Sequence, residues 1–384
     1  LITPSNGAEQ RATIPIPSNV THLKLSRDLY RDSFDIVALT HAKLLNVDVV
    51  IGFLNLNEKQ LKLYEGCVRH GIKTIASNHE YYFFPHRSPD PGMRRFVARR
   101  KEVFKKLDAV LWLTNFSTAV HDIDADNGYL MPNPNTFEIE KRSANKTGTK
   151  NIICVGRFND HIKRVDRIIN VFGRVQKEIP DSTLTLVGTV DRDAPTADVK
   201  GRSIDELIRK ANISFDNVIF AGETSDISSH YKKADLILLT SETEGFPMVL
   251  TEAMCHGLPV VCGDIPGIED IVIDGENGFV VEQNDSATMA QRVSEILANS
   301  TLRDTMSKSA LSHAAQFSGQ NIAKRWDSLL KAVIRNDNTS VALKEVLSFN
   351  IPDRDVFERR IIKEIDESVR QSIVMADSLA GVNK

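Results

Sequence analysis

Short apolar runs alternate with segments of helical periodicity along most of this chain. In its second half the strand patterns are NIICVG at 151–156, STLTLVG at 182–188, NVIFAG at 217–222 and ADLILLT at 234–240. Between the first two, apolar residues recur at helical spacing from Val165 to Ile179. Strands that alternate with helices form parallel sheets, because a crossover must return the chain to the same sheet edge. The pattern therefore predicts an α/β fold with helices covering a parallel sheet.

The alternation occurs twice, which predicts two domains. A chain of 384 residues exceeds one ordinary hydrophobic core, so we expect two Rossmann-like domains that face a cleft. The N-terminal domain is predicted at 1–135, a polar linker at 136–150 and the second domain at 151–318, with a helix near 267–273. Helices at 319–384 should extend the C-terminus and pack partly on the N-terminal domain.

Composition excludes several classes of protein. The net charge of −3 provides no overall field that would attract nucleic acid. The four cysteines lack metal-ligand spacing and predict reduced thiols in a cytoplasmic protein. No apolar run reaches the length of about 18 residues that a transmembrane helix needs, and no signal-peptide pattern is present. The chain begins at Leu1 without a Met, as expected for a fragment or a processed chain.

The most distinctive stretch is SETEGFPMVLTEAMCHGLPVVCGDIPGIE at 241–269, in which Glu244 and Glu252 stand eight positions apart. A short helix is expected between Pro247 and Gly257, because Pro suits the first helical turn and Gly the position after the last. This predicts a unit of strand, loop, helix and strand with two acids at its ligand-facing end.

Paired acids at this spacing allow several roles. Glu244 and Glu252 could serve as general acid and base, as metal ligands or as acceptors for sugar hydroxyls. The structural alternative is a capping acid and a solvated helix acid. No Asp or His cluster accompanies the pair, which disfavours a shared metal ion.

Two cations follow the strand at 151–156. Arg157 comes directly after it and Lys163 six residues later, just before a predicted helix. Ligands of open parallel sheets bind at the carboxyl ends of strands, where helix N-termini offer free N–H groups. The pair predicts a phosphate or diphosphate site, with simple solvent exposure as the structural alternative.

Taken together, these segments resemble the nucleotide-sugar domain of GT-B glycosyltransferases, in particular the retaining family 4 with its E-x7-E motif. The resemblance covers roughly residues 150–335. Its segments are VGRFNDHIK at 155–163, LTLVG at 184–188, VIFAGE at 218–223, SETEGFPMVLTEAMCHGLPVV at 241–261 and GIEDIVIDGENGFVVE at 267–282. The N-terminal half matches loosely, through Gly7-Ala-Glu9, His79-Glu80 and MPNPN at 131–135.

The resemblance implies roles for charged residues. Arg157 and Lys163 would hold the donor diphosphate and neutralise its charge as it leaves. Glu252 would accept from the ribose hydroxyls, and Glu244 would hold the hydroxyls of the donor sugar. His79 would reach the donor sugar or the transferred group from the other domain, with an ordinary surface histidine as the structural alternative.

It also implies backbone contacts to the donor. Gly156 would lie beside the donor, and the strand end from Phe220 to Glu223 would hold the base. Backbone N–H groups of a four-residue bend would face the phosphate or sugar. The residues of this bend are Gly245, Phe246, Pro247 and Met248. Two departures from the family are Arg164 in place of the usual Gly and the reduction of the first glycine-rich turn to Asn6-Gly7.

The implied activity is retaining transfer of a sugar, most simply from a UDP-sugar, to a glycan or lipid-linked acceptor in bacterial surface polysaccharide or glycoconjugate assembly. No cofactor, metal or nucleic acid is expected, since the nucleotide-sugar is a co-substrate. Two alternatives stay open: a catalytically silent GT-B module that acts as a partner or scaffold, and a sugar-nucleotide hydrolase or epimerase on the same fold.

A basic amphipathic segment, RRFVARRKEVFKK at 94–106, precedes a predicted strand. Such a helix can lie on an anionic membrane surface or guide an anionic acceptor, and a solvated face over a packed core is the structural alternative. Membrane contact would place the protein at the inner face of the cell membrane. The aromatic run HEYYFFPHR at 79–87 predicts an acceptor cleft, an interfacial patch or core at a domain interface.

Overall fold

A computed structural model describes most of the chain. The described residues are 2–4, 23–25, 27–53, 58–79, 91–122, 125–139, 150–198 and 200–336. The predictions for Asn6 and Gly7, for Glu80 and the aromatic run after it, for most of the linker and for the helices beyond 336 lie outside these residues.

The first half contains a two-stranded and a four-stranded parallel sheet. The small sheet consists of β1 (Ile2–Pro4) and β2 (Leu23–Leu25). The larger sheet consists of β3 (Val49–Phe53), β4 (Lys73–Ser77), β5 (Ala109–Trp112) and β6 (Gly128–Leu130). The helices of this half are α1 (Arg27–Leu44), α2 (Glu58–Arg69), α3 (Pro91–Phe104) and α4 (Asn115–Asp122). Strands β3 to β6 pair in chain order, and β1 pairs with β2 in parallel. The predicted parallel sheet is confirmed in this half.

The second half contains a six-stranded parallel sheet. Its strands are β7 (Asn151–Val155), β8 (Thr183–Val187), β9 (Val218–Gly222), β10 (Leu236–Leu239), β11 (Val260–Gly263) and β12 (Gly278–Val281). Its helices are α5 (Val165–Glu178), α6 (Ile204–Lys210), α7 (Ile227–Lys233), α8 (Met248–Cys255), α9 (Ser286–Ala298) and α10 (Ser300–Ala314). The strand order is β12-β11-β10-β7-β8-β9. The order reverses between β7 and β10, where doubly wound sheets bind their ligands.

Helices cover both faces of the six-stranded sheet. Ile152 of β7 belongs to the buried cluster with α5, α6 and α9, whereas Ile153, the next residue, belongs to the cluster with α8 and α10. Successive side chains of a strand point to opposite faces, so continuous apolar runs are expected for strands buried on both sides. The predicted α/β fold with two parallel-sheet domains is confirmed.

The helix predicted near 267–273 is wrong in kind. The structure has one 3-10 turn, Ile268–Asp270, preceded by Gly267 at φ 86°. A Cβ at Gly267 would lie 2.8 Å from Thr114 of the first half. Ile268 and Ile271 are both buried, and Asp270 binds Asn115. These tertiary contacts hold the chain in a single turn rather than a longer helix.

The last described helix, α11 (Gly319–Arg335), packs on the first sheet. Its Ile322, Leu329 and Val333 share a buried cluster with Ile75 of β4 and Leu111 of β5. The exact domain boundaries stay a prediction. Among the described helices, none is long and apolar enough to cross a bilayer.

The predicted basic segment forms most of α3. Phe96, Val97, Val103 and Phe104 are buried against the first sheet. Arg99 pairs with Glu58 and Glu65 of α2, at 2.8 Å to the latter. Part of the positive charge is therefore balanced within the protein, and membrane contact stays a prediction.

Candidate functional site

Glycines line the carboxyl ends of β7, β8 and β9. The Gly156 N–H donates to Val187 O at 3.0 Å, and the Gly188 N–H donates to Gly222 O at 2.8 Å. Gly188 has φ 125°, and a Cβ there would lie only 2.1 Å from Gly156 O. A side chain is therefore excluded at Gly188, and the backbones of β7 and β8 approach closely where these strands end.

Lys163 is held in place by the turn that follows β7. The 3-10 turn His161–Lys163 is capped by Asp160, whose carboxylate accepts from the Ile162 N–H at 3.0 Å. Thr240 Oγ1 at the end of β10 donates to Lys163 O at 3.2 Å. A Cβ at Gly156 would meet Lys163 Cδ at 3.5 Å, so the lysine stem packs over the glycine.

Lys163 and Glu244 form an ion pair at the point where the strand order reverses. Lys163 Nζ donates to Glu244 Oε1 at 2.6 Å, although 81 positions separate the two residues. The loop carrying Glu244 is fixed because the Glu242 N–H donates to Ile162 O at 2.8 Å and Gln283 Nε2 donates to Glu242 O at 2.7 Å. The side chains are 17% and 15% exposed, so a ligand can still reach them. The sequence predicted both residues for one site, and the structure brings them together.

Glu252 lies on α8 with both carboxylate oxygens engaged. Oε1 accepts from Thr136 Oγ1 at 2.8 Å, and Oε2 accepts from Tyr231 OH at 3.2 Å. His256 Nδ1 lies 2.9 Å from Glu252 O, and its Nε2 lies 2.8 Å from Ser228 Oγ. A carbonyl oxygen only accepts, so Nδ1 donates and Nε2 accepts from the serine. The glutamate therefore sits in a pre-formed hydroxyl-lined setting.

The prediction for the bend before α8 needs a correction. Pro247 has no N–H to offer, and the Met248 N–H donates to Phe246 O at 2.8 Å. Within the described residues, Gly245 and Phe246 have backbone N–H groups without a hydrogen bond. The Phe246 ring is buried and packs edge-on against Phe317 at 5.5 Å. Two N–H groups, rather than four, can face a ligand here.

Among the described residues, Arg157 and His79 form no hydrogen bond or ion pair with Lys163 or Glu244. The Arg157 side chain is 79% exposed and approaches only Asp160, at 3.8 Å. His79 Nε2 lies 3.2 Å from Ser77 Oγ, and its ring centroid lies 5.6 Å from that of Phe53. Burial lowers the pKa of His79, which favours the neutral imidazole. Their predicted roles stay predictions.

The end of β9 has a neighbour that the sequence did not suggest. Arg192 stacks over Phe220 with its guanidinium carbon 4.5 Å from the ring centre. Asp205 binds the same guanidinium through both oxygens, at 2.8 and 2.9 Å. Glu223 accepts from Thr189 Oγ1 at 2.6 Å. Phe220 and Glu223, the predicted base-side residues, are thus each held by the loop after β8.

The two halves meet through a buried acid. Asp270 accepts from the Asn115 N–H at 2.6 Å and from Asn115 Nδ2 at 3.0 Å. Burial raises the pKa of Asp270 to about 6, and burial followed by the charge of Asp270 raises that of Glu269 to about 8. This junction was missed because it depends on residues 155 positions apart, which no local pattern relates.

Other site residues were also missed. Thr136, Tyr231 and Thr240 bind site groups through hydroxyls that stand in ordinary loop or helix contexts. Gly188 and Thr240 each carried a signal, since each ends a predicted strand pattern directly. Across the described ranges, no group of three or more His, Cys, Asp or Glu is arranged to hold a metal ion.

The sequence of this chain is similar to those of known glycosyltransferases. Residues 135–313 match the family model "Glycosyl transferases group 1". An uncharacterized glycosyltransferase of Haemophilus influenzae is 29% identical over 224 residues, 58% of each chain. A poly(glycerol-phosphate) alpha-glucosyltransferase of Bacillus subtilis is 26% identical over 69% of this chain and 40% of that protein. The chain thus spans about half the length of the curated relatives it matches.

Solved structures show the same fold. HepE of Anabaena in complex with UDP superposes with a TM-score of 0.68 at 17% identity, over 82% of this chain and 86% of that one. At this low sequence identity, the structural similarity shows the fold alone. This chain therefore has the GT-B fold, and its residues 135–313 match a glycosyl transferases group 1 domain.

Proposed function

We propose that this protein transfers a sugar from a nucleotide-sugar, most simply a UDP-sugar, to a glycan or lipid-linked acceptor with retention of configuration. The observation that carries the proposal is the Lys163–Glu244 contact of 2.6 Å at the reversal point of the sheet. Sheets of this strand order bind nucleotides at that point. The family match and a UDP-bound structure of the same fold support the choice of donor.

The cations act on the diphosphate. Lys163 is positioned by backbone contacts and Arg157 is exposed beside it, so both can approach phosphate oxygens when a donor binds. As the sugar bond breaks, negative charge grows on the leaving diphosphate, and fixed cations stabilise it most in the transition state. The N–H groups of Gly245 and Phe246, which have no hydrogen bond among the described residues, add two further donors. These groups suffice without a metal in this mechanism.

The acids act on hydroxyl groups. Glu252 already accepts from Thr136 and Tyr231 hydroxyls, and ribose hydroxyls would replace or join these donors. Glu244 is engaged by Lys163, which suits a group that orients sugar hydroxyls better than a free nucleophile. The acceptor would then attack on the face that the diphosphate leaves, which retains the anomeric configuration.

The relatives support the choice of acceptor class. The Bacillus subtilis relative is named as a poly(glycerol-phosphate) alpha-glucosyltransferase. Transfer in polysaccharide or glycoconjugate assembly is therefore the reaction we propose. His79, held near the end of β4, would contact the transferred sugar from the first half.

Two measurements test this function. The melting temperature, measured with a panel of UDP- and GDP-sugars, should rise with at least one UDP-sugar. The absence of any shift would refute both the glycosyltransferase and the sugar-nucleotide hydrolase or epimerase. Product analysis with fractionated cell-envelope acceptors should then yield a glycosylated product. True turnover to free sugar without an acceptor would instead favour a hydrolase.

A further inference from the structure

A cavity lies beside Arg164, the residue that follows the Lys163 turn. It has a volume of about 410 Å³ and runs along α5, between the second half of α6 with the loop before it and the start of α9. Lys163, Glu244 and Glu252 do not line it. Its volume is within the range of small-molecule sites, so it is a separate candidate for a ligand.

The lining of this cavity is strongly basic. It contains six cationic residues and two carboxylates, although the whole chain has a net charge of −3. The cations are Arg164, Arg167, Arg174, Lys177, Arg202 and Lys210, and the carboxylates are Asp166 and Asp198. A concave surface of one sign concentrates ions of the opposite sign.

The two carboxylates neutralise only two of these cations. Arg164 binds Asp166 through two nitrogens, at 3.0 and 2.8 Å, and Arg202 binds Asp198 at 2.7 Å. The other four form no ion pair with a described carboxylate. Their excess charge is therefore available to an anion.

Two of these four cations have only neutral partners. Arg167 donates to Asn284 Oδ1 at 2.9 Å and to Thr240 O at 3.4 Å. Arg174 donates to Asn170 Oδ1 at 3.1 Å. Among the hydrogen bonds of the described residues, the side chains of Lys177 and Lys210 have none.

Two further acids lie near these cations and reduce the excess without cancelling it. Glu242 Oε1 lies 4.0 Å from Arg164 Nη1 and also attracts Arg167. Asp285 caps α9 through the Thr288 N–H at 2.9 Å and attracts Arg174. Arg167 is buried, and burial followed by repulsion from Arg164 lowers its pKa. The cations at this end of the cavity thus repel one another.

The cations are also spread along the cavity. Arg167, Arg174 and Lys177 lie on one helix, and the first and last are ten residues apart, about 15 Å along the axis. Arg164 anchors the near end in the left-handed region, with φ 50° and ψ 51°, a conformation uncommon outside glycine. Its forked contact with Asp166 fixes the guanidinium at the cavity wall.

We propose that this cavity is a second anion site that binds a small phosphorylated molecule, such as a sugar phosphate, separately from the nucleotide-sugar. Guanidinium groups bind phosphate oxygens in pairs, and lysines add point charges from the rim. Phosphate binds Arg167 and Arg174, and the rest of the molecule fills the space towards Lys177 and Lys210.

The site is tested by calorimetric titration with glucose 6-phosphate and with inorganic phosphate. The background is the full chain carrying Arg157→Ala and Lys163→Ala, which removes the cations of the proposed donor site. Adding Lys177→Glu and Lys210→Glu changes exposed residues at the cavity rim. The matched control adds Lys308→Glu and Lys324→Glu, two exposed lysines outside the cavity with the same change in net charge.

The background should bind glucose 6-phosphate saturably. The rim variant should raise the Kd at least about tenfold, and the control less than about twofold. Saturable binding of inorganic phosphate with the same dependence on the rim would also support an anion site. Failure of both probes to bind the background, or equal weakening in the control, would overturn the proposal. Melting curves of each variant verify folding.

Discussion

The two halves of this protein hold their candidate residues in different ways. In the second half, Lys163 and Glu244 are fixed by contacts from three separate segments, and their charged groups meet at 2.6 Å. In the first half, His79 contacts Ser77 and Phe53 at the end of a shorter sheet. The Lys163–Glu244 pair is thus held by the fold without a ligand, whereas His79 is held by two neighbours of its own half.

The cores of the halves should differ in stability. Phe172 of α5 is fully buried in the cluster between three helices and the six-stranded sheet, and Phe104 ends α3 beside a turn. Phe172→Ala should lower the free energy of unfolding by about 3–5 kcal/mol. Phe104→Ala should lower it by about 3 kcal/mol, because the adjacent turn can relax into the cavity left by the ring. Urea unfolding measures both values. A larger loss for Phe104→Ala would reverse the comparison.

Removing the donor-side cation should have the next largest effect. Lys163→Ala leaves the growing charge on the diphosphate without its positioned cation, which should lower kcat/KM by an amount equivalent to about 2.7–4 kcal/mol. Steady-state kinetics with the identified donor and acceptor measure this. The control is Lys308→Ala, an exposed lysine on α10. Equal kinetics for Lys163→Ala and wild type would remove Lys163 from the mechanism.

The junction between the halves should contribute less. Asn115→Ala removes the side-chain bond to Asp270 Oδ1 and leaves the backbone bond in place. A lost hydrogen bond to a buried charged group costs about 1.5–3 kcal/mol. Thermal unfolding should show a lower Tm for the variant. An unchanged Tm would mean that the halves are held together elsewhere, for example by α11.

A change in pH dependence is also expected at the same junction. The pKa of Glu269 is raised from 4.5 to about 8, mainly by burial. The folded state therefore binds this proton more tightly than the unfolded state, and its contribution to stability is lost as pH rises from about 4.5 to about 8. Glu269→Gln should flatten the decline of Tm over that range. If Tm of the variant falls with pH as steeply as Tm of the wild type, the raised pKa of Glu269 does not contribute to this pH dependence.

Much of the fold could be predicted from the sequence, because buried strands and amphipathic helices leave periodic patterns. The runs at 151–156 and 234–240 gave the correct strands, and their following loops gave Lys163 and Glu244. Position at the ends of adjacent parallel strands relates residues far apart in the chain. Fold and site could therefore be inferred together.

The remainder depends on tertiary contacts that no local pattern records. The helix expected near 267–273 is a single turn because Gly267 packs against Thr114 and Asp270 binds Asn115. Likewise, the hydroxyls that hold Glu252 come from Thr136 and Tyr231, both distant in sequence. Such partners become visible only when the chain has folded.

We expect the second half alone to hold the nucleotide part of the donor. Calorimetric titration of UDP into the wild type, Glu252→Gln and His79→Ala measures this. We predict a Kd about tenfold higher for Glu252→Gln, because it loses a charged acceptor for the ribose hydroxyls, and a change below about twofold for His79→Ala. Unchanged affinity in Glu252→Gln, or an equal loss in His79→Ala, would contradict the account.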